Sequence, residues 1–183
     1  MSSLRCVVGI DPSLTGFSMT AWYADGTFFE KELATKAQKT LVGSVRRRGT
    51  LAAAAEDFLK EHAPELCLIE GYAYGAKGRA VISLGELGGV IRDHIVGIAD
   101  VTVEVPPSTL KRFVTGRGNS PKMDVVQKLV RKFEREFKTD NLADSFALAW
   151  LGAVVVGYKD AVTQFERDAA GVVRERILLE TSQ

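Results

Sequence analysis

The chain has 183 residues, of which 46% are hydrophobic and 26% charged, and its formal net charge is +1. That length and apolar content fit one globular domain with a sizeable core, while five Pro and 17 Gly leave little room for a long disordered stretch. No apolar run is long enough to cross a membrane and the N-terminus lacks a leader-like segment, so a cytoplasmic location is expected, in the host cytoplasm if the chain is viral.

Residues 5–10 read as a buried strand, because Cys6, Val7, Val8 and Ile10 make a nearly continuous apolar run. Residues 18–23 and 27–33 predict two further strands, joined by the turn signal Ala24-Asp25-Gly26. Residues 41–62 are Ala-rich with Leu51, Ala55, Phe58 and Leu59 at helical spacing, which predicts a helix. Residues 65–70 form a short apolar strand. Residues 79–98 predict a helix containing Gly85, Gly88 and Gly89, small residues that permit close packing on a sheet or a partner. Residues 101–105 are β-branched and alternating, giving a fifth strand. Pro106-Pro107-Ser108 ends it and opens a short helix near Thr109. Residues 115–120 read as a flexible basic loop. Pro121 then sits in the first turn of a helix reaching about Phe137, and residues 141–156 predict the last core helix.

A strand meander followed by alternating strands and helices implies an α/β fold with a mixed sheet covered by helices. The nuclease-like unit is expected to occupy residues 1–158. Residues 159–183 read as a C-terminal extension, either a hairpin across Ala169-Ala170-Gly171 or an amphipathic arm.

Four acids stand out. Asp11 ends the first apolar run, Glu70 ends the apolar strand of residues 65–70, and Asp140 and Asp144 open the last core helix. A carboxylate at the end of a buried strand loses hydration unless something pairs with it. Two such strands and an acidic helix start can converge on one point. Mg²⁺ takes hard oxygen ligands, and two metals about 3.5–4 Å apart clamp both reacting oxygens in phosphodiester hydrolysis. Asp140 and Asp144, four residues apart, share a helix face. Asn141 shares it too, and its amide oxygen is a candidate metal ligand or water-orienting group. The competing reading for Asp140 or Asn141 is a helix cap. Asp144 resists that reading, because it lies inside an apolar segment.

Charge is unevenly distributed. Between residues 106 and 138 there are nine basic side chains against three acidic ones, and Arg46-Arg47-Arg48 adds a second basic cluster. For residues 128–138 a solvated helix face is the plainer reading. Cys6 and Cys67 fall in predicted core strands, which suits buried thiols in a reducing compartment, with a disulfide between neighbouring strands left open. His62 and His94 have no metal-ligand company in the sequence.

Taken together, Gly9-Ile10-Asp11-Pro12-Ser13 with Thr15-Gly16, Ile69-Glu70, Leu84-Gly85-Glu86-Leu87-Gly88-Gly89-Val90, Pro107-Ser108 through Lys111, Thr115-Gly116 with Lys122, and Ala143-Asp144-Ser145-Phe146-Ala147-Leu148-Ala149 resemble the RuvC-type Holliday junction resolvases. The likeness spans about residues 5–155 in the family's order, and the Asp-Asn-Leu-Ala-Asp-Ser run is similar to the phage and mitochondrial branches. The resemblance implies an RNase H-like fold with a five-stranded mixed sheet, a homodimer, and nicking of a four-way DNA junction with two Mg²⁺ per site, Mn²⁺ substituting. Carried over by motif, Asp11, Glu70 and Asp144 are metal ligands. Asp140 is the preferred fourth ligand and Asn141 the other candidate. Lys122 is a catalytic basic residue. The candidate DNA contacts are Ser13, Tyr72, Tyr74, Arg79, Lys111, Arg112, Arg117 and Lys122. The family often has an aromatic residue three positions after the second acid. Here that position is Ala73, with Tyr72 and Tyr74 on either side as possible stacking groups.

Other readings remain at this stage. The Asp11 to Gly16 hairpin also matches the phosphate-binding hairpin of actin-like ATPases and sugar kinases, but 183 residues are too few for their two domains and no second such hairpin occurs. No bound nucleotide and no membrane partner are expected. A broader branched-DNA or flap nuclease, and a junction-binding protein without catalysis, are the nearer alternatives.

Overall fold

The computed structural model of the protein describes residues 4–72 and 79–182. Strands β1 (Cys6–Asp11), β2 (Gly16–Tyr23) and β3 (Phe28–Ala34) form the antiparallel meander. Helix α1 (Leu41–His62) leads to β4 (Leu66–Glu70), which pairs parallel with β1. Helix α2 (Arg79–Ile95) leads to β5 (Val101–Val105), parallel to β4. The sheet order is β3-β2-β1-β4-β5. Helices α3 (Pro107–Thr115), α4 (Lys122–Phe133), α5 (Asp140–Val156) and α6 (Gln164–Glu180) complete the chain.

The sheet separates two cores. Val8, Ile10, Cys67 and Ile69 face α1 and α2, packing with Leu51, Phe58, Leu87 and Ile91. Val7, Leu66, Leu68 and Val103 face the other way, toward Phe146 and Leu148 of α5 and Phe113 of α3. β1 is buried along its whole length, which is why its sequence reads as a continuous apolar run and not as an alternation. Among the described residues no helix is long and apolar enough to cross a membrane.

Several boundaries differ from the sequence expectation. α2 ends at Ile95, short of residue 98, and Gly97 turns the chain at φ 87°. α4 ends at Phe133, not near Phe137, because Glu134 adopts a left-handed conformation at φ 51°. Residues 115–120 are a hydrogen-bonded turn. Thr115 Oγ1 donates to the Lys111 carbonyl at 2.7 Å, lies 2.7 Å from Ser120 Oγ, and accepts the Arg117 N–H at 3.1 Å.

The hairpin reading of the C-terminal residues gives way to one continuous helix. Thr163 and Glu166 form a reciprocal capping box at the start of α6, and Ala169-Ala170-Gly171 continues as helix. Ala169, Ala170 and Val173 join the α5-side core. Arg174 donates to the last carbonyls of α5, at 3.1 Å to Val154 and 3.2 Å to Val155. Glu166 is buried because it also accepts the Val162 amide at 2.6 Å and the Lys132 ammonium at 2.8 Å.

Both cysteines are free and buried. Burial pushes the Cys6 thiol up to about 11 and the Cys67 thiol up to about 12, so both stay protonated.

Candidate active site

Asp11 ends β1 and Glu70 ends β4. These strands run parallel with Ile10 opposite Ile69, so both carboxylates emerge at the same end of the sheet. Strand alternation puts both on the α5 side, Asp11 with Val7 and Glu70 with Leu66 and Leu68. α5 brings the other two acids, Asp140 at its first residue and Asp144 one turn later.

Three features seat α5 on the sheet. Gly9 lets β1 and α5 approach so closely that a Cβ there would run into the Ser145 carbonyl and lie 2.5 Å from the Ala149 amide nitrogen. Ser18 Oγ donates to the Asn141 carbonyl at 2.6 Å, and the Thr20 and Ser145 hydroxyls are 2.9 Å apart in the core. Thr139 caps the helix by accepting the Leu142 N–H at 3.2 Å. The cap is therefore Thr139, neither Asp140 nor Asn141, and the Asp140 carboxylate is left for another partner.

That partner is Lys122, the first residue of α4. Its ammonium lies 2.9 Å from Asp144 Oδ2 and 3.1 Å from Asp140 Oδ2. On the strand side, the Asp11 and Glu70 carboxyl groups lie beside one another. Asp11 is only 6% exposed. Its burial, then the charges of Glu70 and Asp144, hold its carboxyl well above the usual carboxylate range. Burial and the nearby Asp144 push Glu70 up to about 7, against the pull of Lys122. Asp144 is raised by burial, with Lys122 opposing. At Asp140 burial acts upward, but the Lys122 hydrogen bond and charge outweigh it and the net shift is down. Burial weakens the Lys122 ammonium, yet Asp144, Asp140 and Asp11 together more than restore it, and its pKa rises.

The cluster thus holds more negative charge than one ammonium neutralises. Its donors are carboxylate oxygens, which suit a hard divalent cation such as Mg²⁺. Among the described residues no three of these side chains converge on a single point in this arrangement. The helix pair shares Lys122, while burial favours the neutral forms of the strand pair. Lys111 lines the same cleft, a cavity of about 210 Å³ bounded also by Glu70, Leu84, Pro107, Lys122 and Asp144.

The remaining predicted residues go elsewhere. The Asn141 amide packs over Gly16, beside Glu32. Ser13 Oγ accepts the Thr15 and Gly16 amides at 3.4 and 3.3 Å and so shapes the hairpin turn. Tyr72 turns onto α2: its hydroxyl donates to the Gly85 carbonyl at 3.1 Å and accepts from Arg92 at 2.9 Å. Arg112 lines a separate hollow with Ser108, Asp168 and Val172, between α3 and α6. Arg117 lies on the α3–α4 turn, lining another. Arg79 opens α2. Ala73 and Tyr74 lie outside the described residues. Two arginines of the 46–48 cluster are structural: Arg47 donates to the Leu14 carbonyl and to Thr35 Oγ1, and Arg48 pairs with Glu86 at 3.1 Å. His62 Nδ1 lies 2.6 Å from the Tyr23 hydroxyl, and His94 Nδ1 lies 2.6 Å from Glu56.

Sequence reasoning missed the Arg92, Glu104 and Tyr72 cluster and the Thr139 cap. Gly9 carried a readable signal, since a glycine inside an apolar strand marks a close backbone approach.

An RNase H-like sheet with acidic side chains at the ends of two parallel strands and on the first turns of a packed helix defines a nuclease of the metal-dependent kind. A family model described as Crossover junction endodeoxyribonuclease RuvC matches residues 7–151, and the chain belongs to that family of Holliday junction resolvases. Nucleases of this family are metal-dependent. The chain is 29% identical over 147 residues to the RuvC of Caldanaerobacter subterraneus subsp. tengcongensis, covering 78% of this chain and 88% of that relative. Its fold matches Thermus thermophilus RuvC in complex with Holliday junction substrate, with a TM-score of 0.66 and 18% identity over 79% of this chain and 90% of that one. It also matches the yeast mitochondrial Holliday junction resolvase Ydc2, with a TM-score of 0.53 and 14% identity over 96% of this chain and 84% of that one.

Proposed function

We propose that this endonuclease resolves four-way DNA junctions by paired symmetric nicks, one from each subunit of a homodimer, leaving 5′ phosphates and 3′ hydroxyls. The observation that carries this reading is the gathering of Asp11, Glu70, Asp140, Asp144 and Lys122 at one end of the sheet. The four carboxylates would hold two Mg²⁺ ions, or Mn²⁺ in their stead, with Asp140 as the fourth ligand in preference to Asn141. Bound ions supply Lewis-acid stabilisation of phosphate charge and an acidified water nucleophile.

The protein's own groups do the rest. Asp11, whose neutral form burial favours, would hold a metal as the carboxylate. Lys122 exchanges its carboxylate partners for phosphate oxygens and neutralises charge that develops on them. Lys111, on the same cleft, holds the incoming phosphate. A two-fold dimer mirrors the two-fold symmetry of a junction. The outward face of α2 supports it, with Ile82 66% exposed and Gly85 and Gly89 open beside it. We assign the reaction to the cytoplasm, where buried thiols stay reduced.

The test is cleavage of end-labelled DNA with Mg²⁺, comparing a four-way junction, a three-way branch, linear duplex and single strand. Paired nicks confined to the four-way junction are expected, abolished by Asp11→Asn with junction binding retained. Equal cutting of the three-way branch would replace this reading with a broader debranching nuclease.

A further inference from the structure

A second concavity lies along the flank of α4, beside the α3–α4 turn. Val125 and Leu129 are buried on one face of this helix. Asp124, Lys128 and Arg131 lie together on a flanking face at 3.6 residues per turn. With Thr115, Arg117 and Ser120 of the α3–α4 turn they enclose about 330 Å³. Three cations and one carboxylate, Asp124, face this space.

Two observations separate it from an ordinary solvated helix face. Arg117, Lys128 and Arg131 make no ion pair and no side-chain hydrogen bond among the described residues, and unlike Arg46 and Arg112, which are also unpaired, the three line one concavity. Asp124 offsets only part of their charge, and the positive excess is left for an anion. The turn carrying Arg117 is also prebuilt. Thr115 and Ser120 lock it through their hydroxyls, Ser120 is only 5% exposed, and Gly116 ends α3 at φ 85° with the Phe165 ring against it. A cationic group on a fixed turn loses less freedom on binding than one on a mobile loop.

We propose that this concavity holds backbone phosphate of a junction arm, away from the scissile bond, gripped by Arg117, Lys128 and Arg131. The assignment rests on the resolvase reading above. Lys128 and Arg131 lie roughly 9 and 14 Å from Lys122 along the α4 axis, at about 1.5 Å per residue. One DNA strand presents a phosphate about every 3.4 Å of axis, so the gripped phosphate is not the one that is cut. The catalytic carboxylates choose the bond, and this cradle sets the path of the arm that leads to it.

The experiment compares the full-length wild type with Lys128→Ala/Arg131→Ala. Junction affinity is measured by fluorescence anisotropy in EDTA across a KCl series, and cleavage is measured in Mg²⁺ with protein saturating. The double variant is expected to bind about tenfold more weakly, with a log–log salt slope smaller by about 1–2 because up to two phosphate contacts are lost. Lys128→Arg/Arg131→Lys, which keeps both charges, should restore affinity and slope. Unchanged affinity and slope in the alanine variant would overturn the cradle, and so would an affinity loss with no change in slope. Failure of the wild type to nick the junction would instead overturn the resolvase reading, because the salt series does not depend on cleavage.

Discussion

The Lys122 ammonium lies 2.9 Å from the Asp144 carboxylate, and Asp140 completes its hold at 3.1 Å. A lysine in this position is an internal counter-ion for carboxylates that, on the proposed reading, a divalent cation would also seek. Lys122→Met removes the competitor and the phosphate-facing charge together. It should therefore separate binding from chemistry: Mg²⁺ affinity, read by calorimetry, tightens several-fold, while cleavage at saturating Mg²⁺ falls about 10²–10³-fold, the usual loss for one charge-stabilising group. Equal weakening of both would show that Lys122 only supports the fold.

The same crowding of acids makes stability depend on pH. The Glu70 carboxyl is pushed up to about 7 from an ordinary 4.5. Between those values the folded state binds more protons than the unfolded one, so stability is fully present below pH 4.5 and is lost as the pH rises through about 7. The loss from this group is on the order of 3 kcal/mol at about 1.4 kcal/mol per pKa unit. Glu70→Gln should flatten the decline and raise the melting temperature of the metal-free protein at pH 8. Mg²⁺ should stabilise the wild type there and do little for the variant. Thermal unfolding from pH 4 to 8 in EDTA, repeated with Mg²⁺, checks both statements.

Gly9 is the contact that sets the height of Asp144 above Asp11. A Cβ at this position would meet α5 backbone, the Ser145 carbonyl and the Ala149 nitrogen, which cannot swing aside as a side chain does. Gly9→Ala should destabilise the protein by about 3 kcal/mol or more, at or beyond the upper end of ordinary overpacking. Urea unfolding gives the stability. Residual folded protein should cleave far more slowly, because α5 has to lift and carries Asp140 and Asp144 with it. Wild-type stability would mean that the β1–α5 contact yields without strain.

The parts of this fold that the sequence made legible are those encoded locally. Buried strands ending in acids announce β1 and β4, and an apolar run opened by two acids four apart announces α5. What stayed hidden depends on residues distant in sequence. Whether Tyr72 meets DNA or α2 is decided by Arg92 and the space over Gly88, 16 to 20 positions away, and no periodicity reports that. The end of α4 is set by a left-handed Glu134, a conformation that any polar residue there could conceal. The C-terminal residues looked ambiguous because Ala169-Ala170-Gly171 is also turn-like. Its two alanines are instead the small residues that let α6 join the core beside α5.

Arg92 is the group through which α2 reaches the end of β4. It donates to the Tyr72 hydroxyl at 2.9 Å and to Glu104 at 2.5 Å, and its guanidinium stacks 4.7 Å from the Tyr72 ring centre. Glu104 in turn packs against Gly71, whose amide is fixed by the Val105 carbonyl at 2.8 Å. Glu70 is the residue before Gly71, so this clamp fixes the peptide from which its carboxylate extends. Arg92 touches none of the four acids and acts as a positioning residue. Arg92→Ala should lower kcat about tenfold with KM for the junction nearly unchanged, because the loss is of alignment and not of substrate contact. Arg92→Lys, which keeps the Glu104 pair but not the fork to Tyr72, should recover only part of it. Tyr72→Phe should cost about 1 kcal/mol of stability, the ordinary worth of a lost hydrogen bond. If Tyr72→Phe instead abolished junction binding while the fold stayed intact, the tyrosine would be a DNA contact after all and the clamp would not be its function.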